Sequence, residues 1–178
     1  MLKRNHKKCT KISEIDEIPD IPMKEISKNE YEIENAREQM RLIKHNELRE
    51  AVSTGDITKV KVLLDALGPE KEIIVNMAPS GANTLLFIAS QIGYHKVVKA
   101  LIEAGSDGRS HAVTKYSPLY TAVHHGHIKV VKILLEKFPE LVQHLTVERW
   151  LPFHAACING FISIVEILIN FEYPEEMM

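Results

Sequence analysis

The residues best suited to chemistry in this chain are three histidines within four positions, His124, His125 and His127. Histidine is a common zinc ligand, and His124 and His127 are three residues apart. Gly126 lies between them, however, and favours the end of a helix over its interior. No cysteine or carboxylate lies close in sequence to complete a set of four ligands. We therefore expect no bound metal and no cofactor.

The motifs of the common enzyme classes do not occur in the sequence. It has no glycine-rich phosphate loop, no Gly-x-Ser-x-Gly elbow and no paired His-Glu metal motif. The acidic residues are scattered over expected helix exteriors or concentrated near the N-terminus. No constellation offers a nucleophile, a base and an orienting group. We therefore predict that the chain is not an enzyme.

The three histidines lie in a segment that recurs along the chain. In each copy, a short apolar stretch ends at a glycine and is followed by spaced apolar residues. These marker glycines are Gly55, Gly93, Gly126 and Gly160. The last three are 33 and 34 residues apart, and the first lies 38 residues before the second. A period of about 33 residues is typical of a solenoid, in which each unit contacts mainly its neighbours.

The third copy, taken alone, predicts a helical hairpin. Ser117 is a suitable N-cap, Pro118 fits a first helical turn, and Gly126 can end the helix with a positive φ. A second helix over residues 128–137, ended by Pro139, places four apolar residues on one face: Val130, Val131, Leu134 and Leu135. Because one hairpin cannot bury this stripe, we expect it to stack on copies of itself.

The repeated segment resembles the ankyrin repeat, whose signature is Thr-Pro-Leu-His. Residues 117–120 read Ser-Pro-Leu-Tyr, and residues 151–154 read Leu-Pro-Phe-His. Phe87 and Tyr120 replace the signature histidine, which is present only as His154. The resemblance covers roughly residues 46–173. It implies that His154 hydrogen-bonds its own turn and that His127 helps to form the turn between two helices.

The resemblance implies an all-α ankyrin-type solenoid of about four stacked helix-turn-helix repeats with an N-terminal capping helix. We place a disordered tail at residues 1–28, the capping helix at 29–45 and the repeat domain at 46–178. The repeats fall at approximately 46–78, 82–113, 115–147 and 149–178.

The capping helix is predicted from apolar residues at three- and four-residue steps: Ile33, Ala36, Met40 and Ile43. Terminal repeats need a polar outer cap, and this mixed helix can cover the first repeat. The alternative is one long helix that continues into Leu48 and Ala51.

The composition excludes several classes of protein. The 22 basic and 24 acidic residues nearly balance, so no general attraction to nucleic acid is expected. The apolar stretch at residues 161–171 is too short to cross a bilayer, and no signal-peptide core follows the N-terminus. Cys9 and Cys157 lie far apart, and we expect Cys157 to be a buried, reduced thiol. An intracellular, cytoplasmic protein is the expectation.

The last predicted outer helix is followed by Pro174 and by no polar capping repeat. An uncapped solenoid end leaves an apolar face in water. We therefore expect the chain to be a fragment, the product of a truncated gene model or a protein whose end a partner covers. Self-association through this repeat is a further expectation.

The resemblance implies a concave surface that binds other proteins, made of the fingertip turns and the ends of the inner helices. Carried onto this sequence, it implies these partner-binding residues: Asn83, Gln91, Ile92, Tyr116, His124, His125, Trp150, Ile158 and Asn159. Tyr116 and Trp150 should stand side by side, and both residue types often dominate interfaces. We expect Tyr116 to be exposed. Trp150 either is exposed or packs under its own turn.

The predicted function is therefore that of a non-catalytic protein-interaction module within a larger scaffold or signalling protein. Its partners are proteins whose identity the sequence does not give, and no small-molecule substrate is expected. The alternative is weak lipid or nucleic-acid contact through basic residues of the outer helices: Lys96, Lys99, Lys129, Lys132 and Lys137. Because Glu103 and Glu136 interrupt these lysines, the field should be small.

Overall fold

The computed structural model describes residues 28–108 and 114–171. Over these ranges the chain forms nine α-helices and three short 3-10 helices, without a β-strand. The helices are α1 (Lys28–Thr54), α2 (Ile57–Ala66), α3 (Lys71–Val75), α4 (Leu85–Ile92), α5 (His95–Glu103), α6 (Pro118–His124), α7 (Ile128–Lys137), α8 (Pro152–Ile158) and α9 (Ile162–Ile169). The predicted tail lies outside the described residues except for Lys28, and so do residues 172–178.

The helices form a stack of hairpins. The inner helices pack in the order α1, α4, α6 and α8, and the outer helices pack in the order α2, α5, α7 and α9. Each hairpin therefore contacts the hairpins before and after it. The all-α solenoid of about four stacked hairpins that the sequence predicts is confirmed.

The first turns of the inner helices are capped as the sequence indicates. Thr84 Oγ1 and Ser117 Oγ each accept a hydrogen bond from the N–H three residues later, at 3.2 and 3.0 Å. The last inner helix has Leu151 at this position, which offers no hydroxyl. There the Leu151 N–H donates to Nδ1 of His154 at 2.9 Å, so the signature histidine stabilises the turn.

The marker glycines end the inner helices with left-handed backbone. Their φ angles are +74° (Gly55), +92° (Gly93), +76° (Gly126) and +69° (Gly160). Close packing adds a second requirement, because a Cβ on Gly93 would lie 2.5 Å from the His127 ring of the next hairpin. Tyr94 and Phe161 occupy the same position in their hairpins and cover the glycines before them. Glycine therefore suits the left-handed end of all four inner helices, and at Gly55, Gly93 and Gly126 it also leaves room for the next hairpin.

One helix, α1, forms the first helix of the first repeat and also extends N-terminal to it. It runs for 27 residues, and the boundary predicted between residues 45 and 46 falls inside it. No glycine or proline occurs between residues 28 and 54, so nothing ends the helix earlier. The prediction of a separate capping helix is wrong, and one long helix is what the chain forms. Burial on α1 begins at His45 and continues with Leu48 and Ala51.

An additional segment at residues 68–81 explains the longer first interval. It contains α3 between the short 3-10 helices Gly68–Glu70 and Pro79–Gly81. His45 Nδ1 donates to the Ile74 carbonyl at 3.0 Å, and Arg41 pairs with Glu70 at 2.8 Å, so α1 holds the segment in place.

Among the described residues, no single helix is long and apolar enough to cross a membrane. Residues 68–81 and α4, which meet at 80°, pass that test only as a bent pair.

The last hairpin differs from the others in exposure. Cys157 is exposed, whereas Val123, at the same position of the preceding hairpin, is fully buried. Ile169 is 64% exposed, and its counterpart Leu135 is 4% exposed. The expectation of a buried Cys157 is therefore wrong, because in the described structure no further hairpin covers this face. Self-association through the face stays a prediction.

Candidate protein-binding surface

The inner helices α4 and α6 border a groove of about 280 Å³, here called the inner groove. Its lining residues are Phe87, Gln91, Tyr116, Tyr120, Thr121, His124 and His125. Four of them, Gln91, Tyr116, His124 and His125, are among the residues that the sequence predicts to bind a partner. The structure therefore brings these four side chains together at one place between two hairpins.

A row of three rings follows α6 along the inner groove. Tyr120 and His124 are four residues apart on α6, so their side chains lie on one helical face. Tyr116 lies two residues before the helix begins. The ring centroids of Tyr116 and Tyr120 are 4.7 Å apart, and those of Tyr120 and His124 are 6.2 Å apart with nearly parallel planes. Contact with Tyr120 leaves Tyr116 half-buried, so the expectation of an exposed Tyr116 is wrong.

Burial also affects the ionisation of Tyr120, the middle ring of this row. The Tyr120 ring is 5% exposed, and this burial raises the pKa of its phenol, with smaller contributions from Tyr116 and Glu148. The phenol is therefore neutral at physiological pH and can both donate and accept a hydrogen bond. The part of the wall formed by Phe87 and Tyr120 is thus aromatic and uncharged, and Tyr120 can bond a polar group.

The histidines connect neighbouring hairpins. His127 Nε2 donates to the carbonyl of Gln91 in the preceding hairpin at 2.9 Å. Asn159 Nδ2 of the following hairpin donates to His124 Nδ1 at 3.3 Å. His125 Nδ1 bonds a carbonyl of its own helix at 2.8 Å. In the described part of the chain, no group of three or more histidine, cysteine, aspartate or glutamate side chains is placed to hold a metal ion.

The other predicted residues lie outside the inner groove. Asn83 is half-buried at a fingertip, whereas Ile92 and Ile158 are 38% and 64% exposed at the ends of their inner helices. Trp150 is 43% exposed, so its ring lies on the surface and does not pack under the turn. Asn159 does not line the inner groove but reaches it through its hydrogen bond to His124.

Three lining residues were not predicted from the sequence: Phe87, Tyr120 and Thr121. A signal for two of them exists, because Phe87 and Tyr120 stand where the repeat signature has histidine. An aromatic ring at that position cannot accept the N–H of the turn as His154 does. It packs into the space between adjacent inner helices, which makes it part of the groove wall.

Hydrogen bonds also join the fingertip turns of adjacent hairpins. His144 Nε2 donates to the Lys115 carbonyl at 3.1 Å, and the Val147 N–H donates to the Thr114 carbonyl at 3.2 Å. These bonds hold the turn before Tyr116, at the rim of the inner groove, against the turn of the last hairpin.

The outer helices carry charges of both signs. A groove between α5 and α7 is lined by Lys99, Ile102, Glu103, Ile133, Glu136 and Lys137. Two lysines and two glutamates line it, so this described part of the convex side is not continuously basic. The alternative of lipid or nucleic-acid contact through the outer lysines finds no support.

Comparison with known proteins identifies the repeat. A family model described as ankyrin repeats (3 copies) matches residues 48–143. The chain is 29% identical over 127 residues to Target of rapamycin complex 2 subunit AVO2 of Saccharomyces cerevisiae, covering 69% of this chain and 29% of that protein. It is 26% identical over 130 residues to Protein phosphatase 1 regulatory subunit 12A of Rattus norvegicus, covering 73% and 11%.

A third relative is Leucine-rich repeat serine/threonine-protein kinase 1 of Caenorhabditis elegans. It is 29% identical over 108 residues, which cover 61% of this chain and 4% of the kinase. The chain thus spans less than a third of the length of each of these relatives.

Proposed function

This chain belongs to the ankyrin-repeat family, and we propose that it binds a protein partner through the inner groove and the exposed residues around it. Ankyrin repeats are protein-interaction modules. The observation that carries the proposal is the meeting of Gln91, Tyr116, His124 and His125 in one groove between two hairpins. Side chains fixed to rigid helices lose little conformational entropy when a partner binds.

The chemistry of the inner groove favours an apolar or aromatic side chain with a polar end. Phe87 and Tyr120 supply a buried wall, and the exposed His124 and Gln91 supply polar groups at the rim. A buried ring with polar groups around it is the arrangement in which interface anchors are usually held. Ile158 and Trp150 offer exposed apolar area beyond this centre.

The test is affinity capture from cell extract with two matched variants. Gln91→Arg places a long charged side chain at the inner groove, and Glu136→Arg places the same side chain in the groove between α5 and α7. Proteins captured by the wild-type chain are identified by mass spectrometry and tested by titration. We expect Gln91→Arg to abolish capture and Glu136→Arg to preserve it. A partner lost with Glu136→Arg and retained with Gln91→Arg would refute the proposal.

The wider role of the chain is part of the same proposal. Two relatives are named as subunits, one of target of rapamycin complex 2 and one of protein phosphatase 1. They support a place for this chain in a scaffold or signalling protein larger than the repeats. Its lack of catalysis and its cytoplasmic location stay predictions.

A further inference from the structure

The first part of α1 projects from the repeats with every described side chain exposed. Residues 30–40 are all exposed. Four apolar residues on it, Ile33, Ala36, Met40 and Ile43, are three, four and three residues apart, and we call them the α1 stripe. Ile33, Met40 and Ile43 are 47%, 53% and 53% exposed. This spacing is that of the a and d positions of a coiled coil.

The α1 stripe does not serve the packing of the repeats. The face that packs on them carries His45, Leu48, Ala51 and Val52, all of which lie beyond the C-terminal end of the stripe at Ile43. At 3.6 residues per turn, the centre of the stripe lies about 110° around the helix axis from the centre of that face. A second helix can therefore lie along the stripe while α1 keeps all of its contacts with α2, α3 and α4.

The charges beside the α1 stripe identify the helix that fits it. With Ile33 and Met40 at a positions, Glu32 falls at g and Arg37 at e. In a parallel pair of helices, g of one chain faces the next e of the other. A second copy of this chain would thus place Glu32 against Arg37 twice. Within its own helix, Arg37 forms a 3.4 Å ion pair with Glu34, and both side chains are mostly exposed. Such a pair contributes little stability, so replacing it with a pair to Glu32 of the second copy costs little.

We propose that this chain forms a homodimer through a parallel two-stranded coiled coil of the α1 stripe. A helix without lateral packing is marginal in water at this length, and a second copy supplies that packing. The stripe spans fewer heptads than long coiled coils, so the association is concentration-dependent. The dimer carries two inner grooves, which increases the avidity for a partner with two binding segments.

The test is sedimentation equilibrium of the full chain over the micromolar to millimolar range. We expect the mass to rise from 20.2 kDa to twice that value. Met40→Glu should keep the chain at 20.2 kDa throughout. Leu42→Glu is the matched control, because Leu42 is 38% exposed on another side of the same helix. It should associate as the wild type does, with the same helix content by circular dichroism.

Charge exchange tests the parallel arrangement. Glu32→Arg and Arg37→Glu should each raise the dissociation constant about tenfold, and the double variant should restore it. Ile169→Glu, on the exposed face of the last hairpin, tests the separate expectation of association through that face and should leave the contact between the two α1 stripes unchanged. The proposal is overturned if the wild type stays monomeric, if Met40→Glu and Leu42→Glu behave alike, if the double exchange does not restore association, or if Ile169→Glu abolishes it.

Discussion

The contact between a marker glycine and the next hairpin can be measured by comparing two glycine substitutions. Gly93→Ala and Gly160→Ala both force alanine into left-handed backbone, at φ +92° and +69°. That conformation alone costs about 1–2 kcal/mol. A Cβ on Gly160 would meet no atom within 4 Å, so Gly160→Ala should cost only this amount. At Gly93 the Cβ would lie 2.5 Å from the His127 ring. The ring must then move, which adds about 1–3 kcal/mol.

The assay is urea unfolding followed by circular dichroism, with the free energy of unfolding compared at unchanged m-values. A double-mutant cycle with His127→Ala separates the steric contact from local fraying of the last hairpin. His127→Ala alone loses the hydrogen bond to the Gln91 carbonyl and should be destabilising. In the Gly93→Ala background, the same truncation removes the clash and should cost less. Strict additivity of the two changes would refute the steric explanation.

Two further predictions concern single side chains. Burial, with a smaller contribution from Arg49, lowers the pKa of His45 below 6.5. The unfolded chain then binds the proton more readily, so the contribution of His45 to stability is complete above pH 6.5 and is lost as the pH falls through the folded pKa. Urea midpoints measured from pH 7.5 to pH 5 should fall less steeply for His45→Gln than for the wild type, and equal slopes would contradict this. The exposed Cys157 thiol should react with Ellman's reagent in native Cys9→Ser protein nearly as fast as after denaturation, and strong protection would show that this face is covered.

The repeat architecture follows from local signals that any single copy contains. Ser117, Pro118 and Gly126 act within a few residues of their own positions, and the structure places all three as the sequence indicates. The apolar residues are spaced so that they form a stripe along each helix, and a single hairpin can bury this stripe only by stacking on its neighbours. These features were predictable because they depend on backbone preferences and on helical periodicity.

The inner groove depends on contacts that no single copy contains. Whether Tyr116 is exposed is decided by its packing on Tyr120 and by the width of the space beside α4. The exposure of Cys157 likewise depends on whether another hairpin follows, since its position is buried elsewhere in the stack. Residues 68–81 contain no copy of the repeat, so their fixation by Arg41 and His45 had no sequence signal.

The rings of Tyr94, His127 and Phe161 each pack on the marker glycine of the preceding hairpin. The contacts along the stack therefore all run in one direction, from each hairpin to the one before it. A unit is locked by its successor, and no described residue closes over Gly160. We therefore expect unfolding to begin at α8 and α9 and to proceed toward the N-terminal hairpins, so that α4 and α6 separate later. A partner bound between α4 and α6 would then contact helices that stay folded after α8 and α9 have separated.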